Sequence, residues 1–275
     1  MPGFDLLIAN LIQPIILAFI LGAIAGFLRS ELELPAAVIS LLAIYLLFSI
    51  GLEGGRGLAQ ADLGGLMPLI GLTLLMVVAI PLLVYSVTRL LGRFDISNAA
   101  ALAAHYGSVS TATFFSSLTL SHRHGHTAMG TPAGGYMVAM VALMEFAVIF
   151  SLLIARVAMA RVLLEMGMTA ARHIRAFREV GWFMLGFGTL MPVVNGIIGV
   201  TLAQLIGLDV GGSFVFGALC ASASFIDAPA ACRASLPEAN PGIYLTSSLG
   251  ITLPFNLLLG LPLYYSYALW LYRVI

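Results

Sequence analysis

Two stretches of the chain place hydroxyl, small and helix-breaking residues inside strongly apolar surroundings. The first, HYGSVSTAT, contains Ser108, Ser110 and Thr111, and the second, SASFIDAPAACRASLPEANPG, contains Asp227 and Pro229. Pro229 lacks a backbone donor and disfavours helical geometry just before it, so a helix is expected to break there. A half-helix that starts near Asp227 would direct free N–H groups and its positive dipole end at the break, which favours an anion. The hydroxyls and free carbonyls of the first stretch suit a small oxyanion or a sodium ion.

Two further groups of polar residues are candidate cation ligands. Glu145 lies in the apolar run YMVAMVALMEFAVIF, and a carboxylate inside a membrane span is a functional candidate, as is Asp227. An asparagine and three hydroxyl residues begin the last apolar run and would add oxygen ligands. The predicted sodium ligands are Asp227, Glu145, Asn240, Thr246, Ser247 and Ser248.

Each of these residues also has a purely structural interpretation. Asp227 would equally cap a half-helix or pair with Arg233, and Glu145 would equally be a structural acid bonded to a neighbouring helix. Asn240 and the hydroxyls after it would form a turn and permit close helix packing, as would the small residues of both predicted breaks. The segment SHRHGH resembles a metal-binding cluster, but no thiolate or carboxylate accompanies it, and we interpret it as a solvated loop.

Several classes of function are not indicated by the sequence. No nucleophile elbow, phosphate-binding loop or HExxH motif occurs in the chain, and it is predicted not to be an enzyme. An enzyme that acts inside the membrane with Asp227 and His105 is a less favoured alternative. The formal net charge is +0, which argues against a nucleic-acid partner. No cofactor is predicted apart from sodium as a coupling ion.

The elements that must position these residues are membrane helices. The chain is 61% hydrophobic and 9% charged, with a mean hydropathy of +1.07. About 20 apolar residues in a helix cross the hydrocarbon core of a bilayer, so the chain is predicted to be an all-α polytopic membrane protein. The predicted spans are residues 6–28, 34–52, 64–88, 98–120, 136–158, 182–206, 211–235 and 243–271.

The distribution of arginine predicts the orientation of these spans. All 12 basic residues are arginine, and alternate numbering of the loops places nine on one face and three on the other. Because cytoplasmic loops carry the excess of basic residues, the first face is predicted to be cytoplasmic. Both termini are then expected outside.

An internal repeat relates the two predicted breaks. The segment Ile50–Leu58 resembles Met166–Ile174 at an offset of 116, and the same offset places Ser108 on Ser224. Equivalent segments start on opposite faces, which is typical of the inverted repeats of secondary transporters, whose sites lie where broken helices meet. The second repeat lacks the counterpart of residues 1–48, and the sequence leaves open whether this loss is natural.

With these motifs, the chain resembles the sodium-dependent bicarbonate transporter family first known from cyanobacteria. The resemblance is carried by APAACRASLPEANPGIYLTSSLGI (Ala228–Ile251), IGLEGG, YGSVSTATF and LMEFAVIF. It implies two inverted five-helix repeats with crossed broken helices in a core and the first two helices of each repeat in a gate. It also implies a homotrimer in the bacterial inner (plasma) membrane, with a PII-like cytoplasmic regulator as a possible partner.

The family pattern divides the chain and assigns its site. Residues 1–160 would be the first repeat, with gate helices in 1–60 and core helices in 61–160, and residues 161–275 would be the second repeat, mostly core. The substrate would lie between the two breaks with sodium nearby. The implied substrate-binding residues are Gly107, Ser108, Val109, Ser110, Thr111, Ser224, Phe225, Ile226, Asp227 and Ala228.

The second predicted break departs from the cyanobacterial pattern Ser-Asp-Ile-Ser-Gly-Pro. Phe225 takes the place of the acid, and Asp227 takes the place of the following serine. At ~4 Å and an effective dielectric constant of 20, a carboxylate would repel an anion by about 4 kcal/mol. Either Asp227 binds sodium or a proton between itself and the anion, or its carboxylate turns away, or the substrate is not an anion.

The function expected from these residues is that of a sodium-coupled secondary transporter of bicarbonate or a similar small anion. The alternative is a non-transporting membrane sensor or scaffold derived from the same fold. The shortened second repeat motivates this alternative, because alternating access requires a gate for the core to move against.

Overall fold

The computed structural model describes residues 63–126, 137–162, 173–225 and 227–274, together with isolated positions between 16 and 59. These ranges contain helices and no strand, which confirms the all-α class. The predicted spans 6–28 and 34–52, including the expected gate helices, lie almost wholly outside the described residues. In chain order the helices are α1 Leu63–Leu90, α2 Ile96–Gly107, α3 Thr111–Arg123, α4 Met137–Met144, α5 Phe146–Val162, α6 His173–Leu205, α7 Val210–Cys220, α8 Asp227–Ser235 and α9 Pro241–Val274.

Four of the described helical segments are long and apolar enough to cross a membrane. They are Gly64–Leu90, Met137–Ala158, Gly181–Leu205 and Pro241–Val274, and each exceeds the roughly 20 residues that a bilayer core requires. They coincide with four of the predicted spans, because a long uninterrupted apolar run is a strong local signal of a membrane helix. The chain is therefore a membrane protein.

The other two predicted spans in this part of the chain are each divided into two short helices. α2 ends at Gly107 and α3 begins at Thr111, so residues 108–110 form a first break where the sequence predicted one. α7 ends at Cys220 and α8 begins at Asp227, so the second break lies between these two residues. Pro229 lies in the first turn of α8, where its missing N–H group costs no intrahelical hydrogen bond.

The helices pack as two similar groups around the broken pairs. In the first group α1 and α5 both pack against α2, and in the second group α6 and α9 pack against α7. The groups are joined through the half-helices, since α3 packs against α7 and α8 packs against α2. Each broken pair therefore places one half-helix in each group, and the two pairs cross.

The entries into α2 and α7 are built alike. Asp95 and Asp209 cap these helices by accepting hydrogen bonds from the N–H three residues on, at 2.9 and 2.6 Å. Two residues before each cap the backbone is left-handed, at Arg93 (φ 52°) and Gly207 (φ 87°). These features are 114 residues apart, whereas the starts of α3 and α8 are 116 apart. The sequence offset of 116 therefore relates α3 to α8 but not α2 to α7, because the second break is longer.

Glycine permits the close approach of helices around both broken pairs. A Cβ at Gly107 would lie 2.6 Å from Pro81 Cγ and 2.8 Å from Ala147 Cβ, so a larger residue would force α2 away from α1 and α5. A Cβ at Gly199 would lie 2.9 Å from the Cα of Gly217, where α6 meets α7. Small residues that let helix backbones approach are the usual means of packing inside a membrane.

α9 contains two π-helical segments, each of which precedes a proline. In the first π segment, Thr246–Thr252, and the second π segment, Asn256–Gly260, the hydrogen bonds run back five residues. The ring of a proline clashes with the carbonyl four residues before it, and a wider turn relieves the clash at Pro254 and Pro262. The widened turns carry polar side chains that are fully buried, among them Ser247 and Asn256.

Candidate binding site at the two helix breaks

Hydrogen bonds join the second break to the last turn of α2 and to the first break. The N–H of Ser224 donates to the carbonyl of His105 at 2.7 Å. The N–H of Ser110 donates to the Ser222 hydroxyl oxygen at 3.0 Å, and that hydroxyl donates to the carbonyl of Leu219 at 2.8 Å. Non-helical backbone at membrane depth must be paired inside the protein, and here α2 supplies a partner for the second break while the second break supplies one for the first.

Glu145 spans the first break from the side. It lies at the turn between α4 and α5, where the Val148 N–H bonds the Glu145 carbonyl only three residues back, and its side chain is half-buried. Ser108 donates its hydroxyl to Glu145 Oε2 at 2.5 Å, and the N–H of Val109 donates to Oε1 at 3.2 Å. Hydrogen bonds to a carboxylate are stronger than neutral ones, so Glu145 fixes the conformation of the first break.

Several buried polar atoms near the breaks have no hydrogen-bond partner among the described residues. They are the hydroxyl oxygens of Ser224, Thr113 and Ser116 and the Nε2 atom of His105, and these side chains are at most 1% exposed. An unpaired buried hydroxyl costs about 1–3 kcal/mol, so a polar ligand that pairs with such atoms would be stabilised. His105 Nδ1 lies 2.7 Å from the carbonyl of Ala101 and therefore carries the ring proton, which leaves Nε2 as an acceptor when the ring is neutral.

Helix ends of both signs meet at the breaks. α3 and α8 begin there, and their first N–H groups form the positive ends of helix dipoles. Ser110 caps α3 and accepts a long hydrogen bond, 3.4 Å, from the N–H of Thr113. α2 and α7 end there, and their last carbonyl groups form the negative ends. Such a crossing offers donors to an anion and oxygen ligands to a cation within one region.

Tyr106 joins the first break to α9 and α6. Its hydroxyl oxygen lies 2.6 Å from the hydroxyl oxygens of both Ser247 and Thr252. Thr252 donates its own hydroxyl hydrogen to the carbonyl of Gly188 at 2.8 Å, so Tyr106 donates to Thr252 and Ser247 donates to Tyr106. Sequence reasoning named Ser247 but missed Tyr106 and Thr252, and the position of Tyr106 beside the Gly107 break was the only signal for it.

Asn256 supports the second break as Glu145 supports the first. It lies in the second π segment, is fully buried, and donates from Nδ2 to the carbonyl of Ala221 at 2.8 Å. Tyr264 holds the amide in place by donating its hydroxyl to Asn256 Oδ1 at 2.9 Å. Sequence reasoning missed Asn256, although an amide in the apolar run ITLPFNLLLG was a visible signal.

The structure does not bring every predicted ligand to the breaks. Asn240 is exposed, caps α9 by accepting from the N–H of Gly242 at 2.9 Å, and donates its own N–H to Asn98 Oδ1 at 2.7 Å. Asn98 is nine residues before Gly107 in α2, or about 14 Å along the helix axis. Asn240 therefore lies near the far end of α2 from the first break.

The neighbouring hydroxyl residues have separate environments. Thr246 is exposed, whereas Ser248 is buried and donates its hydroxyl to the carbonyl of Tyr244 at 2.8 Å. Of the three, only Ser247 is connected to a break, through Tyr106.

Of the remaining predicted site residues, three are fully described by the structure and two are not. Thr111 begins α3 and is partly buried, Phe225 is partly buried against the apolar core, and Ala228 is fully buried in α8. Ile226 lies outside the described residues. Asp227 is described only as the first residue of α8, and its side chain lies outside the description.

The histidine-rich segment packs against an aromatic ring. The rings of His124 and His126 lie 4.8 and 5.8 Å from the ring of Tyr265 in α9. Within the described residues no group of three or more histidine, cysteine or acidic side chains is placed to hold a metal ion. The imidazoles therefore contribute to packing at the end of α3.

The chain matches a known protein family over most of its length. Residues 14–162 and 156–269 match the family model of the Na⁺-dependent bicarbonate transporter superfamily. The chain belongs to this superfamily. No curated protein matches it. Membership and the apolar helices establish a membrane protein of a transporter family whose function involves sodium and bicarbonate, which agrees with the predicted absence of catalysis. The two matched stretches overlap at residues 156–162, the end of α5.

Proposed function

We propose that the protein is a sodium-coupled secondary transporter of bicarbonate or a similar small anion, which it holds where the two breaks cross. The observation that carries the proposal is the pairing of the breaks through Ser224 with His105 and Ser110 with Ser222. Ser224 itself, and Thr113 and Ser116 in α3 after the first break, carry buried hydroxyls that have no partner among the described residues, and a ligand would satisfy such groups.

Different parts of the site would bind the anion and the sodium ion. The N-terminal ends of α3 and α8, with the hydroxyls of Ser224 and Thr113, would donate to the oxygens of a bicarbonate-like anion. The carbonyl ends of α2 and α7 would supply ligands for sodium, with the Glu145 carboxylate beside them. A sodium ion between Asp227 and the anion would offset the repulsion between these two negative charges.

Transport would require the two crossed groups of helices to move against the rest of the protein. The gate would include residues 1–60, and the assembly would be a homotrimer in a bacterial inner membrane with both termini outside. A PII-like protein would be its cytoplasmic regulator. The family resemblance supports these parts of the proposal, and the excess of arginine on one predicted face supports the orientation.

The test is uptake of labelled bicarbonate into proteoliposomes with and without an inward sodium gradient. Ser224→Ala removes one unpaired hydroxyl and is expected to lower sodium-driven uptake at least tenfold, because a lost ligand hydrogen bond costs about 1.4 kcal/mol or more. Ser151→Ala is the matched control, since Ser151 is also buried but donates only to the carbonyl of Ala147 in its own helix, at 2.7 Å. Sodium-independent uptake, or equal uptake by both variants, would contradict the proposal.

A second candidate function is a non-transporting membrane sensor or scaffold. The observation that favours it is the short connection between α5, which ends at Val162, and α6, which begins at His173. Two further spans would need roughly 40 residues, so this connection cannot hold the counterparts of two gate helices. A sensor would bind sodium and bicarbonate, as calorimetry would show, but would give no flux in the proteoliposome assay.

A further inference from the structure

A cleft lies between α1, the start of α2 and α5, away from the two breaks. Its volume is about 470 Å³. Most of its lining is apolar, with one tyrosine and one arginine near the end of α1. The residues that matter here are Tyr85, Arg89, Ile96, Phe150, Leu153 and Val157.

The apolar part of the cleft follows α5. From Phe150 to Val157 the helix advances about 11 Å, which gives an elongated trough along a membrane-spanning helix. Leu153 and Val157 are 56% and 52% exposed, so the trough is open at its side. In a membrane-spanning segment, such a surface faces hydrocarbon, and an acyl chain fits its shape and its chemistry.

The polar end of the cleft carries positive charge. Arg89 donates from Nη1 to the carbonyl of Phe94 at 2.6 Å, and Tyr85 lines the cleft beside it. Arg93 follows the end of α1, Arg156 precedes the lining residue Val157 in α5, and both arginines are exposed. Within the described ranges, none of these three arginines makes an ion pair.

Among the described residues, the carboxylate near this end of the cleft is Asp95, and it is already engaged with its own helix. Asp95 accepts two hydrogen bonds from Asn98, at 2.9 and 2.5 Å. The Arg89 guanidinium in the cleft is therefore left without a matching carboxylate from the described residues.

We propose that this cleft binds one anionic phospholipid. An acyl chain lies along Phe150, Leu153 and Val157, and the phosphate lies against the Arg89 guanidinium, whose planar fork matches phosphate oxygens. The arginines select an anionic headgroup over a zwitterionic one, because basic pockets between spans at the predicted cytoplasmic face attract negatively charged lipid. The lipid also contacts Ile96, the first residue of α2, the helix that ends at the first break.

The test uses fluorescence quenching by brominated lipids. The chain has two tryptophans, Trp182 and Trp270, and both are replaced by phenylalanine in a background that also carries F150W. In mixed vesicles, brominated phosphatidylglycerol is expected to quench the introduced indole with an association constant about fivefold higher than that of brominated phosphatidylcholine. Arg89→Gln is expected to abolish this preference, and 0.5 M salt is expected to weaken it, as for an exposed charge.

Control variants separate the proposal from general effects of arginine loss. Arg273→Gln removes an exposed arginine from the end of α9 and is expected to keep the fivefold preference. If Arg89→Gln fails to fold, Arg156→Gln takes its place and is expected to reduce the preference about twofold. Equal quenching by both lipids overturns the proposal in favour of unselective lipid contact. Absence of quenching by either lipid overturns it as well, since the cleft is then covered by protein from this chain or a second copy.

Discussion

Glu145 and Asn256 each reach a different break from a distorted point in a long helix. Glu145 interrupts the span formed by α4 and α5, and Asn256 lies in the second π segment of α9. A polar side chain projects toward a neighbour most easily where the regular helix is disturbed, because the local turn is widened or broken there. The irregular turns in these two helices therefore allow the polar contacts at the breaks.

The charge of Glu145 leads to a prediction at the residue scale. Glu145→Gln keeps one acceptor oxygen but places an amide opposite one of two donors, the Ser108 hydroxyl or the Val109 N–H. We expect the sodium concentration for half-maximal uptake to rise at least tenfold, because charge-assisted hydrogen bonds contribute about 1.5–3 kcal/mol and a cation loses its carboxylate. Sodium titration of uptake in proteoliposomes measures this.

The control for this prediction is another glutamate outside the site. Glu238 is exposed in the loop between α8 and α9, and Glu238→Gln is expected to leave the sodium titration unchanged. An unchanged titration for Glu145→Gln would show that Glu145 acts only as a structural acid.

At the scale of elements, the sequence predicted where helices run and where they break, but only some of the side chains that reach the breaks. Apolar run length fixes the spans, and glycine, serine and proline mark the interruptions, all of which are local signals. The choice between Asn240 and Asn256 depends on how α9 crosses the other helices, which no local pattern encodes. For the same reason Tyr106 and Ser222 were not identified, although both lie within the stretches that the sequence analysis selected.

The repeat shows the same limit of local signals. One constant offset paired Ser108 with Ser224, but the helices before the breaks are related by 114 residues. That offset pairs Ser108 with Ser222 and Ser110 with Ser224. The extra length of the second break becomes visible only when the helix ends are known.

Packing of α2 gives a prediction at this scale. Gly107→Ala would place a methyl group 2.6 Å from Pro81 Cγ and 2.8 Å from Ala147 Cβ, so α2 must shift against α1 and α5. We expect a loss of about 1–3 kcal/mol of stability, as for other overpacked sites. Thermal unfolding in detergent measures the loss.

The matched control is expected to change the stability in the opposite direction. Gly71 lies inside α1 with no atom within 4 Å of an added Cβ, so Gly71→Ala is expected to raise stability by roughly 0.5–1 kcal/mol, since alanine is the better helix former. If both variants shift the unfolding temperature in the same direction, the close packing at Gly107 is not a constraint.

At the scale of the whole molecule, the crossing joins the two groups of helices. α3 and α8 are exchanged between the groups, so the site is composed of both. A ligand at the crossing contacts residues more than 100 positions apart, such as Ser110 and Ser222. Its binding should therefore stabilise the folded chain as a whole.

This gives a prediction for ligand-linked stability. Sodium at 100 times its dissociation constant is expected to stabilise the protein by about 2.7 kcal/mol, and bicarbonate is expected to add to this only when sodium is present. The unfolding temperature is measured in matched sodium and choline salts, with and without bicarbonate. Equal unfolding temperatures in the two salts would show that no sodium site exists, for a transporter and a sensor alike.

The bonds between the breaks also have a mechanical consequence. The N–H of Ser224 depends on the carbonyl of His105 in the last turn of α2, and the N–H of Ser110 depends on the Ser222 hydroxyl in the second break. Flexing one break would leave both backbone groups unpaired in hydrocarbon, at several kcal/mol each. The two breaks are therefore expected to move together as one rigid unit. A bound ligand would move with this unit, and the unit would not change its internal conformation.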